Sequence, residues 1–293
     1  MKKLMIAVIS IALVLSCVLG AAACSDDNAE NYLFGKETIK VSRQLDILTG
    51  MKTGSADIGV MDSIMAGYYL SNSDFKNTLE VLPFYLSEEE YGIGAKKGNE
   101  ALISKINEAM IALYKNGTMT EIGETFGLEN EILVNDKTTD RRAGATDQSW
   151  SKVVSSKKLI IGYTEFAPIA YNENNKFTGY DIELARAVVA WLNETYSTQI
   201  EVEFSEINWD LKTNLLNTGS IDLVWNGMTI NEERQEGMCL SIPYLSNKQA
   251  ILIKKADKLK YDLTSLDAFK ASASKAIVYV ENGSAAADIM ILG

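Results

Sequence analysis

The chain has 293 residues with an ordinary globular composition, 47% hydrophobic and 23% charged, which excludes a wholly disordered or fibrous protein. A net charge of −11 argues against nucleic-acid binding, because that function needs a basic surface to displace counterions from phosphate. The chain contains no histidine, which excludes Ser-His-Asp and Cys-His catalysis. We therefore expect no catalytic residues, no metal ion and no cofactor.

The N-terminus has the layout of an export signal. Two lysines precede a long apolar run, and the small residues Gly20, Ala21, Ala22 and Ala23 follow it. Cys24 comes next and is followed at once by polar residues, an arrangement that resembles a bacterial lipoprotein signal. In such signals the cysteine is lipidated and the chain is cut just before it.

This resemblance predicts a signal peptide at 1–23, lipidation of Cys24 and a tether at 24–35. Two alternatives stay open, because the apolar run is long enough for an uncleaved membrane anchor and Cys17 is a second, weaker lipidation candidate. With either lipidation or an uncleaved anchor, the rest of the chain lies outside the cytoplasmic membrane, held to its outer face.

Strand patterns alternate with helical patterns along the rest of the chain. Buried strands are predicted at 56–61, 91–95, 159–162, 221–225 and 276–280, and helices at 64–69, 102–114 and 182–192. The alternation predicts an α/β fold with mostly parallel strand pairing. The segment 129–157 is polar and largely aperiodic, which indicates a linker between two blocks, 30–128 and 158–293. Cys239 is interpreted as a small buried hydrophobic residue.

The later block carries several motifs in one register, KLIIGYTEFAPIAYNENNKFTGYDIE (158–183), NLLNTGSIDLVWNGMTINEER (214–234) and DLTSLDAFKASASKAIVYVENGSAAADIM (262–290). These motifs resemble the beginning of the extracytoplasmic solute-binding proteins of polar amino-acid transporters. The earlier block carries LTGMKTGSADIGVMD (48–62) and LPFYLSEEEYGIGAKKGN (82–99), which resemble the end of the same family. The blocks hardly overlap, so together they resemble about one complete family member written in circularly permuted order.

The resemblance implies a two-lobed periplasmic-binding-protein-like (type II) α/β fold with a hinge and with its segments in permuted order. Lobe 2 would comprise 36–87 and 250–293, lobe 1 would comprise 88–128 and 158–249, and 129–157 would be the linker. Two alternatives remain: each block is a broken copy from a tandem array, or the blocks complete one another between chains by domain swapping.

Five candidate ligand-binding residues fall on the implied lobe 1. Arg234 matches the family's carboxylate-binding arginine, whose planar fork grips a carboxylate at two points; the alternative is a surface ion pair with a neighbouring glutamate. The Thr229 hydroxyl could donate to the same carboxylate and the Gly227 carbonyl could accept from an ammonium, or both could simply form a turn. Phe166 and Trp209 match aromatic positions that line the cleft, and the alternative for both is the ordinary core.

Three more candidates fall on the implied lobe 2. Asp62 matches an acid that binds the ligand ammonium, and it could also cap the helix that follows. Ser284 and Ala285 are predicted to open a helix, whose free N–H groups suit an anion. Asp57, in the same motif as Asp62, is interpreted as structural. Glu165 lies in the loop that contacts the ligand side chain in the family, but that loop is one residue shorter here than in basic-amino-acid binders, so it is not carried over.

The function implied by the resemblance is that of a membrane-anchored solute-binding component of an ABC uptake transporter. It would capture an amino acid between two lobes by hinge closure and would deliver it to a membrane permease, and it would not be an enzyme. The alternatives are an extracytoplasmic sensory module, a small-carboxylate dehydratase with Glu165 or Asp62 as its acid, and a rearranged product that binds nothing.

Overall fold

The computed structural model describes residues 31–292, and the predicted signal peptide, Cys17 and Cys24 lie outside the described residues. The strands, in chain order, are β1 (Asn31–Tyr32), β2 (Glu37–Val41), β3 (Ile58–Asp62), β4 (Leu79–Lys96), β5 (Lys158–Tyr163), β6 (Tyr171–Glu173), β7 (Lys176–Thr178), β8 (Glu201–Glu206), β9 (Leu223–Thr229), β10 (Met238–Leu240), β11 (Leu245–Lys254), β12 (Ile277–Glu281) and β13 (Ile291–Leu292).

The α-helices, in the same order, are α1 (Gln44–Thr53), α2 (Ser63–Asn72), α3 (Glu100–Lys115), α4 (Thr118–Phe126), α5 (Ser149–Ser156), α6 (Tyr180–Tyr196), α7 (Lys212–Thr218), α8 (Glu232–Gly237), α9 (Leu266–Ser272) and α10 (Ala285–Met290). Short 3-10 helices occur at Asp74–Asn77, Glu129–Glu131, Trp209–Leu211 and Lys255–Lys260. Among residues 31–292, none of the helices has the length and apolar character needed to cross a membrane.

The strand and helix patterns of the sequence are confirmed where apolar side chains recur regularly. Strand β3 is buried at every position, as its unbroken apolar run predicts. Helix α3 buries Leu102, Ile106, Met110 and Leu113 along one face, as their spacing predicts. Cys239 is a free, buried thiol, in agreement with its interpretation as a core residue.

The main sheet has the strand order β2-β12-β3-β11-β4-β9-β5-β8, and β10 also pairs with β4. Pairing is parallel within β2, β12 and β3, the first parallel group. It is also parallel within β9, β5 and β8, the second parallel group. Between the groups, β11 and β4 pair antiparallel with each other and with their neighbours. The prediction of mostly parallel pairing is therefore wrong: the central strands run antiparallel and make the sheet mixed.

The two central strands, β4 and β11, extend from one parallel group to the other, and we call them the crossing strands. The first part of β4 pairs only with β11, and its last part, from Tyr91 to Ala95, pairs with β9. Register shifts interrupt the pairing between Lys248 and Ala250 on β11, and between Gly92 and Gly94 on β4. Irregularities of this kind bend a sheet locally, and these lie in the strands that the two groups share.

Strands from the two ends of the chain alternate in this sheet. Strand β12, near the C-terminus, lies between β2 and β3, which come from the first quarter of the chain. A core formed around these strands, with Ile58, Val60, Val278 and Phe269, joins side chains from both blocks. The blocks 30–128 and 158–293 thus pack on each other within a single chain.

The segment 129–157 is more ordered than its aperiodic sequence indicates. It contains helix α5, and it buries Val134 and Val153 in the core. Its acidic residues bond to helix α3: Asp147 accepts from the backbone N–H of Ala101 at 2.6 Å, and Asp140 accepts from Ser104 at 2.6 Å. Helix α5 carries Trp150, Val153 and Val154 at i, i+3 and i+4, a helical apolar pattern that is short and flanked by polar residues, so the aperiodic description does not hold for 149–156.

Candidate functional site

Arg234 is held by a short helix that starts directly after Asn231. The Asn231 side chain accepts from the Arg234 backbone N–H at 2.9 Å, the usual capping bond for a first turn. The guanidinium is buried, 6% exposed, and donates to the carbonyls of Thr229 at 2.6 Å and Gly283 at 3.2 Å. Burial lowers the pKa of the guanidinium from its ordinary value, although it stays a cation.

The guanidinium makes no ion pair with a carboxylate of the described residues, so the alternative of a surface ion pair with a neighbouring glutamate is wrong. A guanidinium has five N–H donors, and the two carbonyls take only part of that capacity. The remaining donors are available to an anion that reaches the same place.

Asp62 ends strand β3, and its carboxylate accepts several side-chain hydrogen bonds. Tyr91 donates at 2.8 Å and Gln249 at 3.1 Å, and the amides of Gln44 and Asn247 donate as well. The carboxylate does not cap helix α2, so the capping interpretation is wrong. Burial raises the pKa of Asp62 to about 6, and the nearby Glu89 carboxylate adds to the shift. At neutral pH the site therefore presents a buried anion fixed by amide and phenol donors.

Strand β9 carries Gly227 and Thr229. Gly227 has φ of +59°, and a Cβ there would lie 2.8 Å from the Phe166 ring, so the close approach requires glycine. Its N–H donates to the buried carboxylate of Asp181 at 2.8 Å, which fixes the orientation of the peptide. The Thr229 hydroxyl donates to Glu89 at 2.9 Å. Donation to a ligand carboxylate, as predicted for Thr229, would require this bond to break, because a hydroxyl has one proton.

The remaining candidates also lie where the chain bends between elements. Trp209 is buried at the start of a 3-10 helix, and the Lys212 amine lies 4.9 Å from its ring centroid. Ser284 caps helix α10 through a bond from the Ala287 N–H, which confirms that Ser284 and Ala285 open a helix. Asp57 accepts from the Ile277 N–H at 2.9 Å and so joins β3 to β12, which supports its structural interpretation.

All eight candidate ligand-binding residues line one cavity. Gly227, Thr229, Phe166, Trp209 and Arg234 come from the side of the second parallel group, and Asp62, Ser284 and Ala285 from the side of the first. The cavity therefore has a buried cation on one side and a buried anion on the other. Glu165, which was not carried over as a binding residue, also lines the cavity, and the lining residues that were not predicted are Gln44, Thr164, Asn226 and Glu281.

Glu281 is the most informative of the residues that the sequence analysis missed. It ends β12 just as Asp62 ends β3, and these two strands are parallel neighbours. The carboxyl ends of parallel neighbours meet at one edge of a sheet, so an acid at the end of each buried strand was a usable signal. Burial raises the pKa of Glu281 to about 8, and the Asp62 carboxylate contributes further.

Residues 159–286 match the family described as bacterial extracellular solute-binding proteins, family 3. This part of the chain is thus similar to that class of binding proteins. Among individual relatives, a probable histidine-binding protein of Neisseria gonorrhoeae is 31% identical over 101 residues, 34% of this chain and 35% of the relative. The probable amino-acid-binding protein YxeM of Bacillus subtilis is 30% identical over 121 residues, 41% of this chain and 42% of the relative.

The sequence identity and coverage are similar for a solved structure. A substrate-binding protein of an ABC uptake transporter from Streptococcus pneumoniae, with bound histidine, is 35% identical over 31% of this chain and 35% of its own, with a TM-score of 0.26. The chain thus spans between a third and a half of the length of the relatives described here.

Proposed function

We propose that this chain is the solute-binding component of an ABC uptake transporter and that it captures an amino acid. The observation that carries the proposal is the cavity in which buried Arg234 and buried Asp62 lie on opposite sides. The matching family segment and the amino-acid-binding proteins among the relatives support it.

The chemistry of the cavity suits a zwitterion. Arg234 would grip the ligand carboxylate with its unused N–H groups, and Asp62 would accept from the ammonium. Burying both ligand charges is favourable only if each meets a paired, hydrogen-bonded partner, and these two side chains are already desolvated and oriented. Phe166 and Trp209 would enclose the ligand stem between flat apolar faces.

The two parallel groups would be the cores of two lobes joined by the crossing strands. In that arrangement 36–87 and 250–293 form lobe 2, 88–128 and 158–249 form lobe 1, and 129–157 links them. The alternation of early and late strands in the sheet supports a permuted order, and the register shifts in the crossing strands mark where a hinge would bend. A ligand with contacts on both lobes would favour the closed state.

The protein would act outside the cytoplasmic membrane, attached by a lipid on Cys24, with a permease as its partner. The export signal and the cysteine that follows it support this part of the proposal. Metabolic labelling with a fatty-acid analogue should label the unmodified protein and not the Cys24→Ser variant. If the unmodified protein takes up no label and still stays in the membrane fraction, an uncleaved anchor replaces the lipid in the proposal. Copurification with a permease would distinguish transport from a sensory role.

The deciding experiment is a thermal-shift screen of the chain from residue 25 onward against the common amino acids. A ligand at about 100 times its Kd adds about 2.7 kcal/mol to the free energy of unfolding. In a domain of this size, that stabilisation raises Tm by roughly 5–10 °C. A folded protein that shows no shift with any amino acid would refute the amino-acid assignment.

Two variants locate the site in the same screen. Arg234→Ala should abolish the shift, because the ligand carboxylate loses its counter-charge inside a buried cavity. The matched control is Arg141→Ala, since Arg141 is exposed and lies in the segment 129–157 rather than in the cavity lining. Unchanged binding by Arg234→Ala would place the ligand elsewhere.

A further inference from the structure

Two buried carboxylates lie side by side in the cavity. Strands β3 and β12 are parallel neighbours, and they end at Asp62 and Glu281. The two side chains are 5% and 6% exposed, and both line the cavity. The Gln44 amide, from the start of α1, donates to Asp62 and also lowers the pKa of Glu281. Their closeness follows from the topology of the sheet, because the carboxyl ends of adjacent parallel strands share an edge.

The charges around the cavity do not balance for a neutral amino acid. Arg234 would neutralise the ligand carboxylate, and Asp62 would neutralise the ligand ammonium. Glu281 would then have no partner on the ligand, so it would either keep its proton or be buried as an uncompensated charge, which is costly. The nearby Lys212 offsets this cost only in part: its amine bonds to the carbonyls of Trp209 at 3.3 Å and Gly283 at 3.1 Å, and its charge leaves the pKa of Glu281 raised to about 8.

We propose, on the basis of the amino-acid site described above, that the cavity selects amino acids with a cationic side chain and that Glu281 accepts hydrogen bonds from that cation. A second positive charge on the ligand compensates the second carboxylate, so Arg234, Asp62 and Glu281 each meet an opposite charge on the ligand. The exposed Glu165 at the mouth of the cavity adds negative potential on the path of such a ligand.

The protonation state of Glu281 is consistent with selectivity for a cationic side chain. Burial raises its pKa to about 8, with Asp62 as a second cause and with Lys212 and Arg234 opposing the shift. The carboxyl therefore holds a proton for much of the time at neutral pH, and an arriving cation would displace that proton. Binding of a cationic amino acid should release protons, whereas a neutral amino acid leaves Glu281 protonated.

The experiment compares two matched ligand pairs by isothermal titration calorimetry. Arginine is paired with citrulline and lysine with norleucine, because the members of each pair are of similar length and differ in side-chain charge. We expect the cationic member of at least one pair to bind about tenfold or more tightly, the effect of a charge-assisted hydrogen bond in a buried site. Titrations in buffers of different ionisation enthalpy should also show proton release for the cationic ligand alone.

Glu281→Gln tests the residue, since glutamine keeps the shape and removes the charge. The variant should bring the cationic-to-neutral affinity ratio close to one, and Glu194→Gln, at an exposed position on helix α6, should leave the ratio unchanged. If Glu281→Gln does not fold, the comparison of the ligand pairs with the unmodified protein still tests the selectivity for a cationic side chain.

The outcomes separate this inference from the proposed function. Binding of neutral amino acids with ratios near one for both pairs overturns the cationic selectivity and leaves the amino-acid site standing. A Glu281→Gln variant that keeps the full preference overturns the role of Glu281. Absence of binding by every amino acid overturns the proposed function, and the selectivity with it.

Discussion

Gly227 offers the sharpest test of how tightly the cavity is constructed. Its φ of +59° lies in the left-handed region, where an alanine costs roughly 1–2 kcal/mol more than glycine. An added Cβ would also lie 2.8 Å from the Phe166 ring and 3.0 Å from the Tyr91 ring. Both rings are buried, at 5% and 0% exposure, so neither can move without repacking, which costs a further 1–3 kcal/mol or so.

Gly227→Ala should therefore lower the free energy of unfolding by about 2–5 kcal/mol, which corresponds to a fall in Tm of roughly 5–20 °C. Urea denaturation followed by circular dichroism measures the change directly. Ligand affinity should fall too, because Tyr91 donates to Asp62 at 2.8 Å and a displaced ring carries that bond with it.

The control for this substitution is Gly67→Ala, on the exposed face of helix α2. A Cβ at Gly67 meets nothing within 4 Å, so alanine should stabilise the helix by up to about 1 kcal/mol. Opposite signs for the two variants would show that backbone strain and ring contacts, and not glycine replacement in general, set the cost. A Gly227→Ala protein within about 0.5 kcal/mol of the unmodified chain would refute the reasoning.

Three further predictions concern charge and hydrogen bonding. Burial raises the pKa of Asp181 to about 7, so the folded chain holds this proton more tightly than the unfolded chain does, and the free energy of unfolding should fall as pH rises from about 4 to about 7. Between pH 5 and pH 8, the free energy of unfolding from urea titrations should fall by a few kcal/mol less in Asp181→Asn than in the unmodified chain. An equal fall in the two proteins would contradict the assignment. Asp57→Ala should cost about 1 kcal/mol of stability, through the bond from Ile277, without changing ligand affinity in calorimetry. Arg234→Lys should weaken ligand binding about tenfold or more, since an ammonium keeps the charge but loses the two-point grip; equal affinity would show that charge alone is needed.

The sequence predicts the elements whose apolar side chains form a regular local pattern. Strand β3 and helix α3 are such elements, because burial on a fixed period leaves a direct trace in the chain. The first part of β4 gives no such trace, since its charged run Glu88, Glu89 and Glu90 is typical of a loop. It is a strand because β11 pairs with it, and the partner of Glu88 is Lys248, distant in the chain. Pairing at that separation cannot be read from local periodicity.

The same distinction between local pattern and long-range pairing applies to the residues of the candidate site. Arg234 and Asp62 could be singled out only through their motifs, and no local pattern shows that they face one cavity. Glu281 and Gln44 have no motif, and their position follows from the parallel neighbours β3 and β12 and from helix α1 beside them. Acids at the ends of buried strands become predictable once the strand order is known.

The carboxylate of Asp62 and the crossing strands belong to one hydrogen-bond network. Asn247 and Gln249 on β11 each donate both to Asp62 and to Glu89 on β4. Thr229, on the side of the second parallel group, donates to the same Glu89 oxygen at 2.9 Å. A ligand carboxylate that accepts a hydrogen bond from Thr229 must therefore replace the Thr229–Glu89 bond, which already joins the two sides of the cavity. The net gain from that contact is the difference between two hydrogen bonds, so Arg234 and the acids, rather than Thr229, should dominate the affinity.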